Sequence, residues 1–123
     1  MPETASVYPE DELPDTFHLA ASIDGGIVGC ITVFPEAFDD EPGWRLRGMA
    51  TAEDWRGKGV GAAMLRDAQR RVVELGGHLL WCNARLSAAG FYEGCGFRIV
   101  GPEFLAEMDI PHRKAVWRIG ART

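Results

Sequence analysis

Residues 55–65 read Trp-Arg-Gly-Lys-Gly-Val-Gly-Ala-Ala-Met-Leu, with glycine at 57, 59 and 61 and a helix-forming run directly behind. Glycines without Cβ let consecutive backbone N–H groups turn toward one point, and a helix N-terminus adds unsatisfied donors and the positive end of its dipole. Such a point binds phosphate oxygens. Arg56 and Lys58 add two positive charges, which suit a pyrophosphate better than a neutral metabolite. Taken alone, the loop fits a ligand-free strand-to-helix turn equally well. Two other phosphate loops are excluded. No G-x-x-x-x-G-K-[ST] string exists, and Ala62 stands where G-x-G-x-x-G would need its last glycine.

Downstream, Val60, Met64, Ala68, Val72 and Leu75 recur at four- and three-residue steps, the apolar stripe of an amphipathic helix. Gly76-Gly77 ends it, and the apolar run Leu79 to Cys82 predicts a buried strand with a parallel neighbour. Ser87 is placed to cap a short second helix through Glu93, with strands at Phe97 to Val100 and Ala115 to Ile119.

Upstream, Thr16 to Ile23 and Ile27 to Phe34 are rich in β-branched and aromatic residues around the turn Asp24-Gly25-Gly26, a β-hairpin pattern. An acidic loop follows from Pro35 to Gly43, then a strand from Trp44 to Thr51. The expected order is β-β-β-α-β-α-β-β: one α/β domain over residues 16–123, with a mixed, mostly antiparallel sheet flanked by helices. Residues 1–15, acidic and interrupted by Pro2, Pro9 and Pro14, read as a loose arm.

A chain of 123 residues has room for one hydrophobic core, and its 46% hydrophobic and 25% charged content is that of a globular protein. The net charge of -5 argues against a nucleic-acid binder working through a basic surface. Three cysteines, Cys30, Cys82 and Cys95, without a C-x-x-C pair, indicate neither a disulfide framework nor a zinc site. Cys30 and Cys82 read as core residues. No apolar run approaches about 18 residues and no signal peptide is evident, so a cytoplasmic, membrane-free protein is expected.

The arrangement Arg56-x-x-Gly59-x-Gly61, behind a strand ending Met49-Ala50-Thr51, resembles the acetyl-CoA signature of the GNAT superfamily of N-acetyltransferases. Ala88 to Phe97 (AAGFYEGCGF) resembles that family's later segment, at the expected distance. The resemblance covers about Phe17 to Ile119. It departs from the pattern at the start, where only Met1 to Thr16 stand in place of a strand and two helices that commonly wall the acceptor site.

The resemblance implies that the backbone of Gly57, Lys58, Gly59, Val60 and Gly61, with Arg56, holds the pyrophosphate. It implies that the main chain of Met49, Ala50 and Thr51 pairs with the pantetheine arm as a pseudo-strand. Tyr92 takes the position of the general acid for the departing CoA thiolate. A phenol is protonated at neutral pH and suited to that work; without the motif, an aromatic packed beside Phe91 and Phe97 is the simpler account. Asn83 and Arg85 stand where the sheet opens around the arm, although the family often has Asn at the position of Arg85. Helix capping explains Asn83 equally well.

The attacking amine needs a base, for which His112 is the leading candidate and Glu36 the second, since an imidazole titrates near neutral pH. A surface histidine is the plainer account of His112. No histidine is tied to a cysteine by a nucleophile motif, which favours direct transfer over an acyl-cysteine. The expected function is acetyl transfer from acetyl-CoA to a primary amine on a small molecule or peptide. The alternative is a non-catalytic acyl-CoA-binding or sensing module. A second copy of the chain is a candidate cover for any face left open, making a homodimer.

Overall fold

The structure is a computed structural model that describes residues 3–4 and 16–119. Seven strands and two helices follow one another: β1 (Glu3–Thr4), β2 (Phe17–Ile23), β3 (Gly26–Pro35), β4 (Trp44–Thr51), α1 (Val60–Glu74), β5 (Leu79–Arg85), α2 (Ala89–Gly94), β6 (Arg98–Leu105) and β7 (Pro111–Arg118). From β2 onward this is the expected order. Most of the acidic arm read over residues 1–15 lies outside the described residues; its Glu3–Thr4 forms β1, paired with Ser22 and Ala21.

The strands form one sheet in the order β1-β2-β3-β4-β5-β7-β6, antiparallel everywhere except between β4 and β5. The β2–β3 hairpin closes through Asp24 and Gly25, both at positive φ (52° and 83°), with Ile23 opposite Gly26. Primed two-residue turns of this kind match the right-handed twist of the flanking strands.

Side chains alternate along each strand, and α1 and α2 close over one face. There Leu19 and Ala21 of β2, Ile31 and Val33 of β3, Leu46 of β4, and Leu80, Cys82 and Ala84 of β5 pack against Val60, Met64, Leu65, Ala68 and Val72 of α1 and Tyr92 of α2. The opposite face carries a smaller apolar cluster of Leu79, Trp81 and Val116, roofed by Phe38 from the acidic loop.

Several expectations are corrected. Leu75 does not join the apolar stripe: it is the C-cap residue of α1 and 48% exposed. Ser87 caps nothing, because a 3-10 turn over Leu86–Ala88 comes first and puts Ala88 at the N-cap of α2 without a side-chain hydrogen bond. Asn83 is no helix cap; it lies within β5. Cys30 is exposed, since the inward register of Ile31 and Val33 turns it to the opposite face. The last two strands are longer than read. β6 carries a bulge between Val100 and Phe104, and β7 begins at Pro111.

Candidate active site

β4 and β5 pair only through Trp44↔Leu80 and Arg45↔Trp81 and separate beyond them. The separation has a local cause on β4. Against β3, Thr32 pairs with Arg47 and Cys30 with Ala50, so three residue steps on β4 face two on β3. The extra residue sits at Gly48, whose φ of 69° a β-carbon would oppose. A bulge of this kind bends its strand and sharpens the local twist.

The opening is a cleft of about 1110 Å³. Leu46 to Thr51 line one wall and Cys82, Asn83 and Arg85 the other; Arg56, Gly57, Gly59 and Gly61 form one end, with Phe91, Tyr92 and His112 also on its surface. Most of the residues singled out in the sequence therefore meet at one place. Lys58 and Val60 do not line it: Lys58 turns its ammonium over the Trp55 ring at 5.7 Å, and the Val60 side chain is 1% exposed in the core. Glu36 is absent from the cleft wall as well, its carboxylate 3.1 Å from Arg45.

The glycine loop fits a phosphate group. Gly59 is the N-cap of α1 at φ 87°, no side chain caps the helix, and no acid occupies its first turn. The N–H groups that ordinarily receive a capping Ser or Asp are left for an outside anion. A β-carbon at Gly57 or Gly59 would meet nothing within 4 Å, so the loop is open where a ligand would approach. Arg56 anchors the loop to the strand end by donating from Nε to the Thr51 carbonyl at 3.3 Å.

Tyr92 is 8% exposed, with its ring edge-on to Phe91 and Phe97 and its hydroxyl directed at Met49 Sδ, 3.7 Å away. Burial, with the adjoining Cys82 thiol adding to it, drives the phenol well above its ordinary range, so it holds its proton. Burial likewise pushes Cys82 up to about 12, against a partial offset from Tyr92. A thiol so disposed is a poor nucleophile.

His112 is 9% exposed, stacked on Phe104, and sits opposite Arg85 across the β5–β7 ladder. Its Nδ1–H donates to the Ile110 carbonyl at 2.6 Å. In the neutral ring that bond makes Nε2 the acceptor nitrogen. Asn83 Oδ1 accepts from Lys114 Nζ at 2.8 Å. Sequence reasoning overlooked Gly48, Arg47, Lys114 and Trp55. A glycine inside a strand was the available signal for the first.

The sequence pattern of the acetyltransferase (GNAT) domain family matches residues 14–99. YitI, an uncharacterized N-acetyltransferase of Bacillus subtilis (strain 168), is 33% identical over 107 residues, covering 85% of this chain and 69% of its own length. Among solved structures, an aminoglycoside 6'-N-acetyltransferase complexed with coenzyme A superposes at a TM-score of 0.74, with 19% identity over 89% of this chain and 76% of that one. A Bacillus anthracis protein described as a streptothricin acetyltransferase, in complex with acetyl coenzyme A, gives 0.73 with 20% identity over 91% and 72%. The chain belongs to the GNAT acetyltransferase family.

Proposed function

We propose that this protein transfers an acetyl group from acetyl-CoA to a primary amine by direct attack, with Tyr92 as general acid and His112 as base. The observation that carries the reading is the β4–β5 opening. It lines up an uncapped helix N-terminus, the unpaired edge of β4 over Met49 to Thr51, and a protonated phenol along one cleft. Coenzyme A and acetyl-CoA in the complexes of the two structural neighbours support the choice of donor.

In this reading the pyrophosphate takes the N–H groups behind Gly59, with Arg56 beside them, and the pantetheine arm runs along the free edge of β4. The amine nitrogen attacks the thioester carbonyl carbon; the C–N bond forms as the C–S bond breaks. The amine's proton passes to His112 Nε2, and the sulfur leaves as a thiol with the proton of Tyr92. Complete transfer from so high a phenol to a thiolate of ordinary pKa is uphill at first. The hydroxyl therefore donates a hydrogen bond to the sulfur as charge builds there, and its proton crosses to sulfur late, the phenolate then regaining a proton from solvent. The protonated Cys82 supports direct attack over an acyl-cysteine.

The test is release of free CoA thiol from acetyl-CoA across a panel of amines. Tyr92→Phe should lower kcat by about 10²-fold or more, the usual weight of a general acid, with KM for acetyl-CoA little changed. Tight CoA binding with no turnover on any amine would sink the transferase reading and leave the CoA-binding module.

A further inference from the structure

Resting on the transferase reading, we propose that the acceptor is an amine that also carries a carboxylate, received by Arg47 across the cleft from Asn83, which Lys114 holds from behind, on the sheet face away from α1. The charge on the cleft wall points this way. Its ionised side chains are Arg47, Arg56 and Arg85, and among the described residues no aspartate or glutamate lines it. Arg56 belongs to the phosphate end. The other two are left for the acceptor.

The acidic loop between β3 and β4 puts no carboxylate on the cleft wall: Glu36 pairs with Arg45, Glu41 pairs with Arg118, and neither Asp39 nor Asp40 lines the cleft. Among the described residues, no ion pair joins a carboxylate to Arg47, Arg85 or Lys114.

The cations are also held in place. Arg47 lies over the Phe34 ring at 5.1 Å, and Lys114 Nζ over Trp81 at 4.7 Å and Phe104 at 5.2 Å while donating to Asn83. An aromatic face steadies a cation without neutralising it, and leaves the remaining N–H donors free. A guanidinium so steadied suits the two oxygens of a carboxylate. A polycationic amine entering the same wall would meet like charge with no counter-ion. For an amino acid the arrangement has a second consequence: positive surroundings disfavour the ammonium form, so the nucleophilic free amine is easier to reach.

The experiment compares kcat/KM for free amino acids, their amides, and the diamine putrescine, in wild type and Arg47→Gln. At least one amino acid should exceed its amide by about tenfold or more, the weight of a hydrogen bond to a charged group, with putrescine poorest. Arg47→Gln should raise KM for that amino acid and erase the preference, while KM for acetyl-CoA stays put. Lys114→Gln should do the same to a lesser degree. If amides or putrescine turn over as well as the acids, or if Arg47→Gln slows acid and amide alike, the acceptor class is wrong and the transferase reading stands. No turnover on any amine overturns both.

Discussion

The two halves of the β4–β5 seam differ over a few residues of the same strands. At one end, Trp44 and Arg45 pair with Leu80 and Trp81, and the joint is sealed: Trp81 Nε1 donates to the Glu36 carbonyl at 3.0 Å, and Arg45 stands 5.0 Å over the indole. At the other end, Ala50 and Thr51 keep their ladder to β3 and Asn83 to Arg85 keep theirs to β7, but the two segments do not pair with each other. The sealed half spends its hydrogen bonds on stability. The open half leaves a row of backbone groups for a ligand, and it is held open by neighbours on both sides instead of by disorder.

The first way to probe this contrast uses the thiols. Cys82 lies on the open half yet is buried, and its pKa rises from 9.0 to about 12, whereas Cys30 is exposed on β3, on the far side of β4. Three pKa units leave Cys82 with roughly a thousandth of the thiolate of an ordinary thiol near neutral pH. A thiol reagent at pH 8 should label Cys30 in the folded protein and Cys82 only after unfolding, as read by mass spectrometry. A folded pKa above the unfolded one contributes stability that is complete below about pH 9 and is lost as pH rises toward 12. Rapid labelling of Cys82 in the native state would mean that the open half is far wetter than described.

The bulge is the second point of attack. Gly48 is at φ 69°, and a β-carbon there would find its nearest neighbour, Thr32 Oγ1, at 4.0 Å, so the cost of substitution is backbone strain and not a clash. Gly48→Val should therefore lose about 1–3 kcal/mol of stability in urea unfolding, the price of a branched residue held in a left-handed conformation. If the chain instead relieves the strain by removing the bulge, the register beyond it shifts by one and Met49 and Thr51 both turn to the other face. Acetyl-CoA affinity by calorimetry should then fall well beyond the change in stability. Unchanged affinity would show that the bulge does not hold the seam open.

What the sequence made legible was what is encoded locally. The β2–β3 hairpin announces itself by Asp24-Gly25 between β-branched runs, and α1 by the spacing of Val60, Met64, Ala68 and Val72, all of them buried. The glycine loop could be read because its glycine spacing is what opens the backbone there, with Gly57 at φ 75° and Gly59 at φ 87°. The insertion of β7 between β5 and β6 has no local signature, since nothing in Pro111 to Arg118 names its neighbours. The strand read as Phe97 to Val100 runs on to Leu105 through a bulge, with Gly101 at φ 76°. Arg47 was missed for another reason. A charged residue in a strand reads as solvated until the opposite wall, with Asn83, is known to face the same opening.

The smallest expected effect tests the sealed half. Glu36 follows β3 as a catalytic carboxylate would, yet it lies beside the paired end of the seam, with its side chain half-exposed against Arg45. Its backbone does the anchoring: its N–H donates to the Gly43 carbonyl at 3.0 Å, and its own carbonyl accepts from Trp81 Nε1. Glu36→Gln keeps both backbone bonds and removes one solvent-screened ion pair, which should cost at most about 1 kcal/mol. Turnover and its pH profile should stay as in wild type, because a carboxylate absent from the cleft wall cannot take the amine's proton. Loss of the basic limb of activity in Glu36→Gln, with folding intact, would move the base from His112 to Glu36 and place the chemistry at the end of the seam where the strands are joined.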